Sequence, residues 1–263
     1  MEKSLSGKNI LITGGSSRLG QAFIQKALVR GAKIFTTYYE HEEDVTSLSE
    51  QGGEAFRLNL SDMRAIDVFA KMMKEKIDGL DVLIHNAACA RDKTIQNLSD
   101  EDWDQVLTVN LKAPYYLTKQ LLPLLLRVRK TPSPLSSPPT GGEGGVRGKP
   151  LSKIFMIISR MAISGGYGAA NYAAAKAGLI GLTKSLAAEL GRKNVLVNAV
   201  NPGFMVSRMT ESLPQEVIEK NRAASFLDRF SNPDEVADFL AFLCSDQMTQ
   251  VTGQVLHFES RKI

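Results

Sequence analysis

The sequence predicts an α/β protein in which seven short strands build one doubly wound parallel sheet with helices on both faces. Three observations carry that prediction. Apolar runs of strand length recur along the chain, helical patterns separate most of them, and 263 residues suffice for one large domain with a full core. Short buried strands alternating with helices imply parallel βαβ units.

In chain order, KNILIT (8–13) is the first strand, followed by a glycine-rich stretch and then by Leu19, Ala22, Phe23 and Ala27 at helical spacing. KIFTTY (33–38), EAFRLNL (54–60) and DVLIHNA (81–87) supply the next three strands, with a helix over 62–77. A long helical pattern over 101–127 precedes the strand KIFMIIS (153–159). A helix over 170–191 leads to NVLVNAV (194–200), and one over 233–244 to QVLHFE (254–259). A sheet of this kind takes its ligand beyond the carboxyl ends of its strands.

TPSPLSSPPTGGEGGVRGKP (131–150) breaks the rhythm. It holds five of the ten prolines and has no periodicity. It reads as a flexible insertion in a surface loop of a single domain spanning 1–263, or as a partner-binding arm. Doubling the length of such a loop adds only about 0.6 kcal/mol of closure entropy.

Apolar residues make up 43% of the chain and charged residues 23%, as in ordinary globular proteins. The net charge of +4 is local. Arg127, Arg129, Lys130, Arg147, Lys149 and Lys153 against Glu143 give that window +5, leaving the rest near −1. A nucleic-acid surface would need basic residues spread over a face, so none is expected. No run of 18 apolar residues suggests a membrane span, and the N-terminus lacks the pattern of a secretory leader. Cys89 and Cys244 form neither a disulfide framework nor a metal spacing, and no metal is expected. The expected location is the cytoplasm.

Two ends of the chain carry chemistry. Thr13-Gly14-Gly15-Ser16-Ser17-Arg18-Leu19-Gly20 follows a strand and opens a helix. Glycine permits a tight turn and close approach of a pyrophosphate, and a helix N-terminus offers N–H donors. The pattern points to a dinucleotide bound in a Rossmann fold. Arg18 occupies a place where glycine is commoner. It is either an exposed first-turn side chain or a cation beside the cofactor phosphates. The second strand ends Thr37-Tyr38-Tyr39, without the acid that holds a ribose 2′-hydroxyl in NAD binders. Ser17, Arg18 and Thr37 are candidates to face a 2′-phosphate, so NADP(H) is expected. Glu40, Glu42, Glu43 and Asp44 oppose this only if they point inward.

The second end is Asn171-Tyr172-Ala173-Ala174-Ala175-Lys176, which puts Tyr172 and Lys176 on one helix face. Ser159 lies at the end of a strand. Hydride delivery to a carbonyl builds negative charge on oxygen, so a proton donor is needed. The Lys176 ammonium is expected to lower the Tyr172 phenol from its usual value of about 10, with Ser159 holding the substrate oxygen.

With these motifs in order, the sequence resembles the short-chain dehydrogenase/reductase family over nearly its whole length. The cofactor turn matches residues 13–20. The family's NNAG strand end appears as His85-Asn86-Ala87-Ala88, its asparagine as Asn110, its Ser and YxxxK as Ser159, Tyr172 and Lys176, and its PG turn as Pro202-Gly203. The resemblance implies a catalytic set of Ser159, Tyr172, Lys176 and Asn110. It implies cofactor contacts from Gly14, Ser16, Ser17, Arg18, Leu19, Gly20, Thr37, Asn59, Leu60, Asn86, Ala87, Ala88, Tyr172, Lys176, Pro202 and Gly203.

Within the family, ANYAAAKAGLIG and NPGFMVSRMT are similar to 3-oxoacyl-[acyl-carrier-protein] reductases. That implies reduction of a 3-oxoacyl thioester by NADPH in a homotetramer or homodimer, with acyl carrier protein as a partner; Arg192 and Lys193 are either in a docking region or at an exposed helix C-terminus that favours cations. The alternatives are another carbonyl or imine substrate (a pteridine, sugar or cyclic ketone) or an inactive NADP-binding sensor. Arg18 resembles its counterpart in pteridine reductases. His85 reads as a packed strand residue and Cys89 as an apolar filler. Met161, Ile163, Tyr167, Phe204, Met205 and Met209 are candidates for an apolar channel. The tail Phe258-Glu259-Ser260-Arg261-Lys262-Ile263 lacks the family's Gly-Gly ending.

Overall fold

The computed structural model describes residues 4–127, 151–207, 210 and 214–261. Seven strands, all parallel, lie in the order β3-β2-β1-β4-β5-β6-β7: β1 Asn9–Thr13, β2 Lys33–Tyr38, β3 Glu54–Arg57, β4 Val82–His85, β5 Ser152–Ile157, β6 Val195–Asn201 and β7 Val255–His257. The order reverses direction between β1 and β4, which opens a crevice at their carboxyl ends.

Both faces of the sheet are covered, and the residues of β1, buried along its whole length, show why its centre Ile10-Leu11-Ile12 is apolar on both sides. Leu11 faces one core layer, with Phe69 of α2 (Met63–Lys76), Leu117 of α4 (Ala113–Leu125) and Leu179 of α6 (Ala170–Leu190). Ile10 and Ile12 face the other, with Phe23 of α1 (Arg18–Val29) and Leu240 of α8 (Pro233–Cys244). Each fully buried side chain of this kind contributes about 1.5–3 kcal/mol. Short polar caps start the helices: Ser17 Oγ accepts from Gly20 N, Asp62 from Arg64 N and Ala65 N, and Asn232 from Asp234 N.

Three elements depart from the sequence reading. The pattern over 101–127 is not one helix but α3 (Asp100–Leu107), a π-helical turn (Thr108–Lys112) and α4. Periodicity alone does not reveal a widened turn, because the residues on both sides keep helical spacing. A short helix α5 (Met161–Ser164) and an exposed helix α7 (Gln215–Ala223) were not expected; α7 buries no residue, so it leaves no apolar stripe to read. The 131–150 insertion lies outside the described residues. Its flanks do not: Leu124 O accepts from Leu80 N and Ser152 N donates to Asn194 O, which puts both at the amino end of the sheet.

Lys153 belongs to the core rather than to the basic surface window. It is 1% exposed on β5, and its Nζ donates to the carbonyls of Leu243 (2.8 Å), Ser245 (2.5 Å) and Met248 (2.6 Å). These are carbonyls at the end of α8 and just beyond it, where a helix leaves acceptors without internal partners. Replacing Lys153 by Met strands three buried carbonyls. The expected loss is about 3 kcal/mol in urea unfolding, and an unchanged midpoint would show that the cap contributes nothing.

Candidate active site

The glycine turn is built by steric necessity. Gly14 has φ +72°, and a Cβ there would lie 2.8 Å from the Ala87 Cα. A Cβ on Gly15 would strike Thr36 Oγ1, and one on Gly20 would strike the Gly14 carbonyl. The turn is fastened from behind: Gly14 N and Gly15 N donate to Thr37 O at 2.9 and 3.0 Å. Ser17 Oγ donates to Gly14 O (2.9 Å) as it caps α1. No acid occupies the first turn of α1, so its positive end is not neutralised locally. These features fit a dinucleotide pyrophosphate. Ser16 is partly buried, Ser17 and Arg18 are exposed, and Leu19 and Gly20 are buried behind them.

Thr37 is a correction to the sequence reading. It is 1% exposed, and its contribution is the carbonyl that holds the turn, so its side chain presents no surface to a 2′-phosphate. The accessible groups at this strand end include Tyr39, half exposed, Glu40 and Arg57. Arg57 stacks its guanidinium 5.8 Å from the Tyr39 ring centroid and donates from Nε to Tyr39 O at 3.3 Å. Arg57 was missed because it lies on β3, outside any motif. The acids nearby are partly engaged: Glu42 hydrogen-bonds the Tyr38 hydroxyl, and Glu43 lies 3.2 Å from His41 Nδ1. Strand β3 ends at Arg57, and Asn59 Oδ1 then accepts from Ser61 N and Ser61 Oγ in the turn that leads to α2; Leu60 is buried beside it.

The end of β4 joins the two halves. Asn86 Nδ2 donates to Thr13 O (3.0 Å), Gly14 O (2.9 Å) and Ser17 Oγ (3.0 Å), while Asn86 N and Ala87 N both donate to Thr13 Oγ1 at 3.1 Å. Ala88 and Cys89 continue from there, partly buried. Asn110, fully buried in the π turn, clasps the Cys89 backbone: Oδ1 accepts from Cys89 N (2.9 Å) and Nδ2 donates to Cys89 O (2.8 Å). Burial raises the Cys89 thiol pKa, which keeps it a poor nucleophile. His85 is the packed strand residue the sequence suggested. It is 3% exposed, bonded to Thr118 Oγ1 at 2.8 Å, and held down to about 3 first by burial and then by the Lys176 charge.

Ser159, Tyr172 and Lys176 are brought together at the carboxyl end of β5. Ser159 follows the strand, accepts from Met161 N at 3.2 Å and hydrogen-bonds the Tyr172 phenol. Lys176 is 2% exposed; its Nζ donates to Ile157 O at 2.7 Å and lies 5.6 Å from the Tyr172 ring centroid. Asn171, fully buried, anchors the start of α6: its Nδ2 donates to Arg91 O (3.2 Å), and its Oδ1 accepts from Tyr172 N (2.8 Å).

The electrostatics differ from the sequence expectation. The Tyr172 phenol is pushed up to about 12, first by burial and then by the negative charge of Asp92, against a lowering by the Ser159 hydrogen bond. Lys176 is itself lowered to about 8 by burial. Burial and the Asp92 charge both disfavour the phenolate, so the phenol stays protonated.

Pro202 and Gly203 follow β6, next to β5, where Ile158 N donates to Val200 O at 2.9 Å. Of the apolar candidates, Tyr167 is 97% exposed and Ile163 half exposed, Phe204 stacks on Phe230 at 5.3 Å, and Met205 packs on the core. Met209 lies outside the described residues. Of the two readings of Arg192 and Lys193, the structure shows the exposed helix C-terminus. They are exposed in the turn before β6, at the amino end of the sheet, and α6 separates them from Tyr172 by about 30 Å at 1.5 Å per residue. The flanks of the insertion share that remote end, so within one chain neither borders the site entrance.

Comparison with known proteins agrees with this architecture. The short chain dehydrogenase family model matches residues 8–132, and the one described as enoyl-(acyl carrier protein) reductase matches 147–260. A 3-oxoacyl-[acyl-carrier-protein] reductase of Aquifex aeolicus is 34% identical over 98% of both chains, and one of Thermotoga maritima is 34% identical over 96% of both. Among solved structures, the Pseudomonas aeruginosa RhlG/NADP active-site complex superposes with a TM-score of 0.83 at 28% identity, covering 98% of this chain and 97% of that one. No helix among the described residues is long and apolar enough to cross a membrane. Strand order, glycine turn and the Ser159–Tyr172–Lys176 cluster thus meet the same conclusion as the comparisons: the chain is an oxidoreductase belonging to the short-chain dehydrogenase/reductase family.

Proposed function

We propose that the chain reduces the ketone of a 3-oxoacyl thioester, carried on acyl carrier protein or coenzyme A, to the 3-hydroxyacyl form with NADPH. The observation that carries this reading is the cluster at the carboxyl end of β5, where Lys176 Nζ lies 5.6 Å from the Tyr172 ring centroid and is bonded to Ile157 O, two residues before Ser159. The kinship with 3-oxoacyl-[acyl-carrier-protein] reductases supports the substrate class.

A bound NADPH would supply the hydride, and the residues that would hold it are the glycine turn, at its pyrophosphate, with Asn86 to Ala88 and the Pro202-Gly203 turn. Ser159 Oγ orients the substrate oxygen. Tyr172 Oη gives its proton to that oxygen as negative charge develops, and the O–H of the alcohol forms as the phenolic O–H breaks. A phenol with a raised pKa is suited to this direction, because it is protonated at every working pH. The Lys176 ammonium, fixed on Ile157 O, stabilises the phenolate left behind and helps restore its proton. Asn110 and Asn171 hold the surrounding backbone.

NADPH over NADH is supported by the missing acid at the end of β2, the exposed Arg18 at the α1 N-terminus, and Arg57 over Tyr39. Self-association is supported by exposed Trp103 and Tyr115, the latter lining an apolar hollow with Leu107, Leu111 and Leu182. A cytoplasmic place suits this soluble chemistry.

Tyr172→Phe is expected to lower kcat for acetoacetyl thioester reduction by about 10²–10⁴-fold with NADPH binding retained. A fully active variant would remove Tyr172 as donor, and wild-type turnover of dihydropteridine but no thioester would remove the substrate class. Because Lys176 loses its proton near pH 8, thioester reduction is expected to fall as pH rises through about 8, with Tyr172 still protonated. A rate flat to pH 10 contradicts that role. NADPH is expected to bind at least about tenfold more tightly than NADH, a difference of about 1.4 kcal/mol; equal affinity by fluorescence titration contradicts the cofactor assignment.

A further inference from the structure

The connection from β6 to α8, residues 202–232, is far longer than the about 2–6 residues usual in βα units, and long connections of this kind commonly shape binding sites. It begins with the Pro202-Gly203 turn at the carboxyl end of the sheet, so its described residues leave the strand beside the cleft to which the reading above assigns the cofactor. Its helix α7 buries none of its residues. No fully buried apolar side chain therefore fastens α7 to the body of the protein.

What fastens it is the tail that departs from the family's ending. Arg261 and Glu259 form a buried ion pair, Nε to Oε2 at 2.8 Å, with side chains 10% and 5% exposed. Each partner reaches a different body. Glu259 Oε1 accepts from Asn201 Nδ2 at 2.6 Å, which anchors the tail to the end of β6. Arg261 Nη1 donates to Asn221 Oδ1 of α7 at 2.7 Å, and its guanidinium lies 5.8 Å from the Phe204 ring centroid. Backbone contacts run alongside. Phe226 N donates to Ser260 O (2.8 Å), the hydroxyls of Ser225 and Ser260 are 2.6 Å apart, and Ser225 and Arg261 form an antiparallel bridge. The space is closely used: a Cβ on Gly203, at φ +79°, would lie 2.9 Å from the Glu259 Cβ and from the Phe258 carbonyl.

We propose that Arg261 is a positioning residue for the substrate side of the site. Paired with Glu259, it clasps α7 and Phe204 against the end of β6 and so sets the wall that the acyl group meets. The clasp is polar and lies in the tail, outside the two core layers, so it can be opened without unfolding the sheet. It rests on the functional reading above only for the identity of the substrate; the clasp itself is a property of the fold.

The test compares wild type with Arg261→Met, with the double variant Glu259→Gln/Arg261→Met, and with Arg261→Lys. The double variant is included because removing one partner alone leaves a buried charge uncompensated. Hydrogen–deuterium exchange is read at amides 215–227, and KM and kcat with an acetoacetyl thioester. The expected result is exchange at least about tenfold faster in 215–227, with strand amides unchanged. KM is expected to rise about tenfold with kcat within about threefold and NADPH affinity unaltered, and Arg261→Lys to recover part of both effects. Unchanged exchange in 215–227 overturns the clasp. Faster exchange with an unchanged KM overturns the positioning role. A wild type inactive on every thioester strikes the substrate reading instead, and the exchange measurement still decides the clasp.

Discussion

One buried hydrogen bond organises the chemistry. Lys176 Nζ donates to the Ile157 carbonyl at the last residue of β5, and Lys176 is almost wholly excluded from water. A buried ammonium must be satisfied, so α6 is pinned at a fixed depth and rotation against the end of that strand. Tyr172, one helical turn earlier on the same face, is thereby held near Ser159, two residues beyond Ile157. The same burial that makes the ammonium easy to deprotonate keeps the phenol protonated. Position and protonation state follow from a single constraint.

The molecule divides its labour between the two ends of the sheet. At the carboxyl end, loops are fastened repeatedly: Thr37 O to the glycine turn, Asn86 across to Thr13 and Ser17, Asn110 to Cys89, and Asn171 to Arg91. At the amino end lie Arg192, Lys193 and the flanks of the Pro/Gly-rich segment. Variation there leaves the fastened end untouched, which explains how an unusual insertion coexists with a complete cluster of Ser159, Tyr172 and Lys176.

Much of this was legible in the sequence because it rests on local rules. The central strands β1, β4, β5 and β6 are buried along their whole length and need no alternation, so they read as near-continuous runs. Gly14 and Gly20 are dictated by close backbone approach, and Tyr172 and Lys176 by helical spacing. What was not legible depends on balance or on long-range contact. The spacing of Tyr172 and Lys176 showed that they share a helix face but not that burial would raise the phenol and lower the ammonium. Thr37 reads as a ligand contact until its burial in the sheet is known. Arg57 and the Arg261–Glu259 pair belong to no motif, and their partners Tyr39, Asn221 and Asn201 are identified only by the folded chain. Helix α7 carries no apolar face to betray it.

The most direct test of the central claim is an NMR titration of the protein with labelled lysine and tyrosine, assigned through Lys176→Arg and Tyr172→Phe. The account predicts that Lys176 titrates near pH 8 while the Tyr172 ring resonance stays in its phenol form throughout, rising toward ionisation only near 12. A Lys176 that titrates like a solvated amine near 10.5, with Tyr172 already ionised below 9, would contradict it.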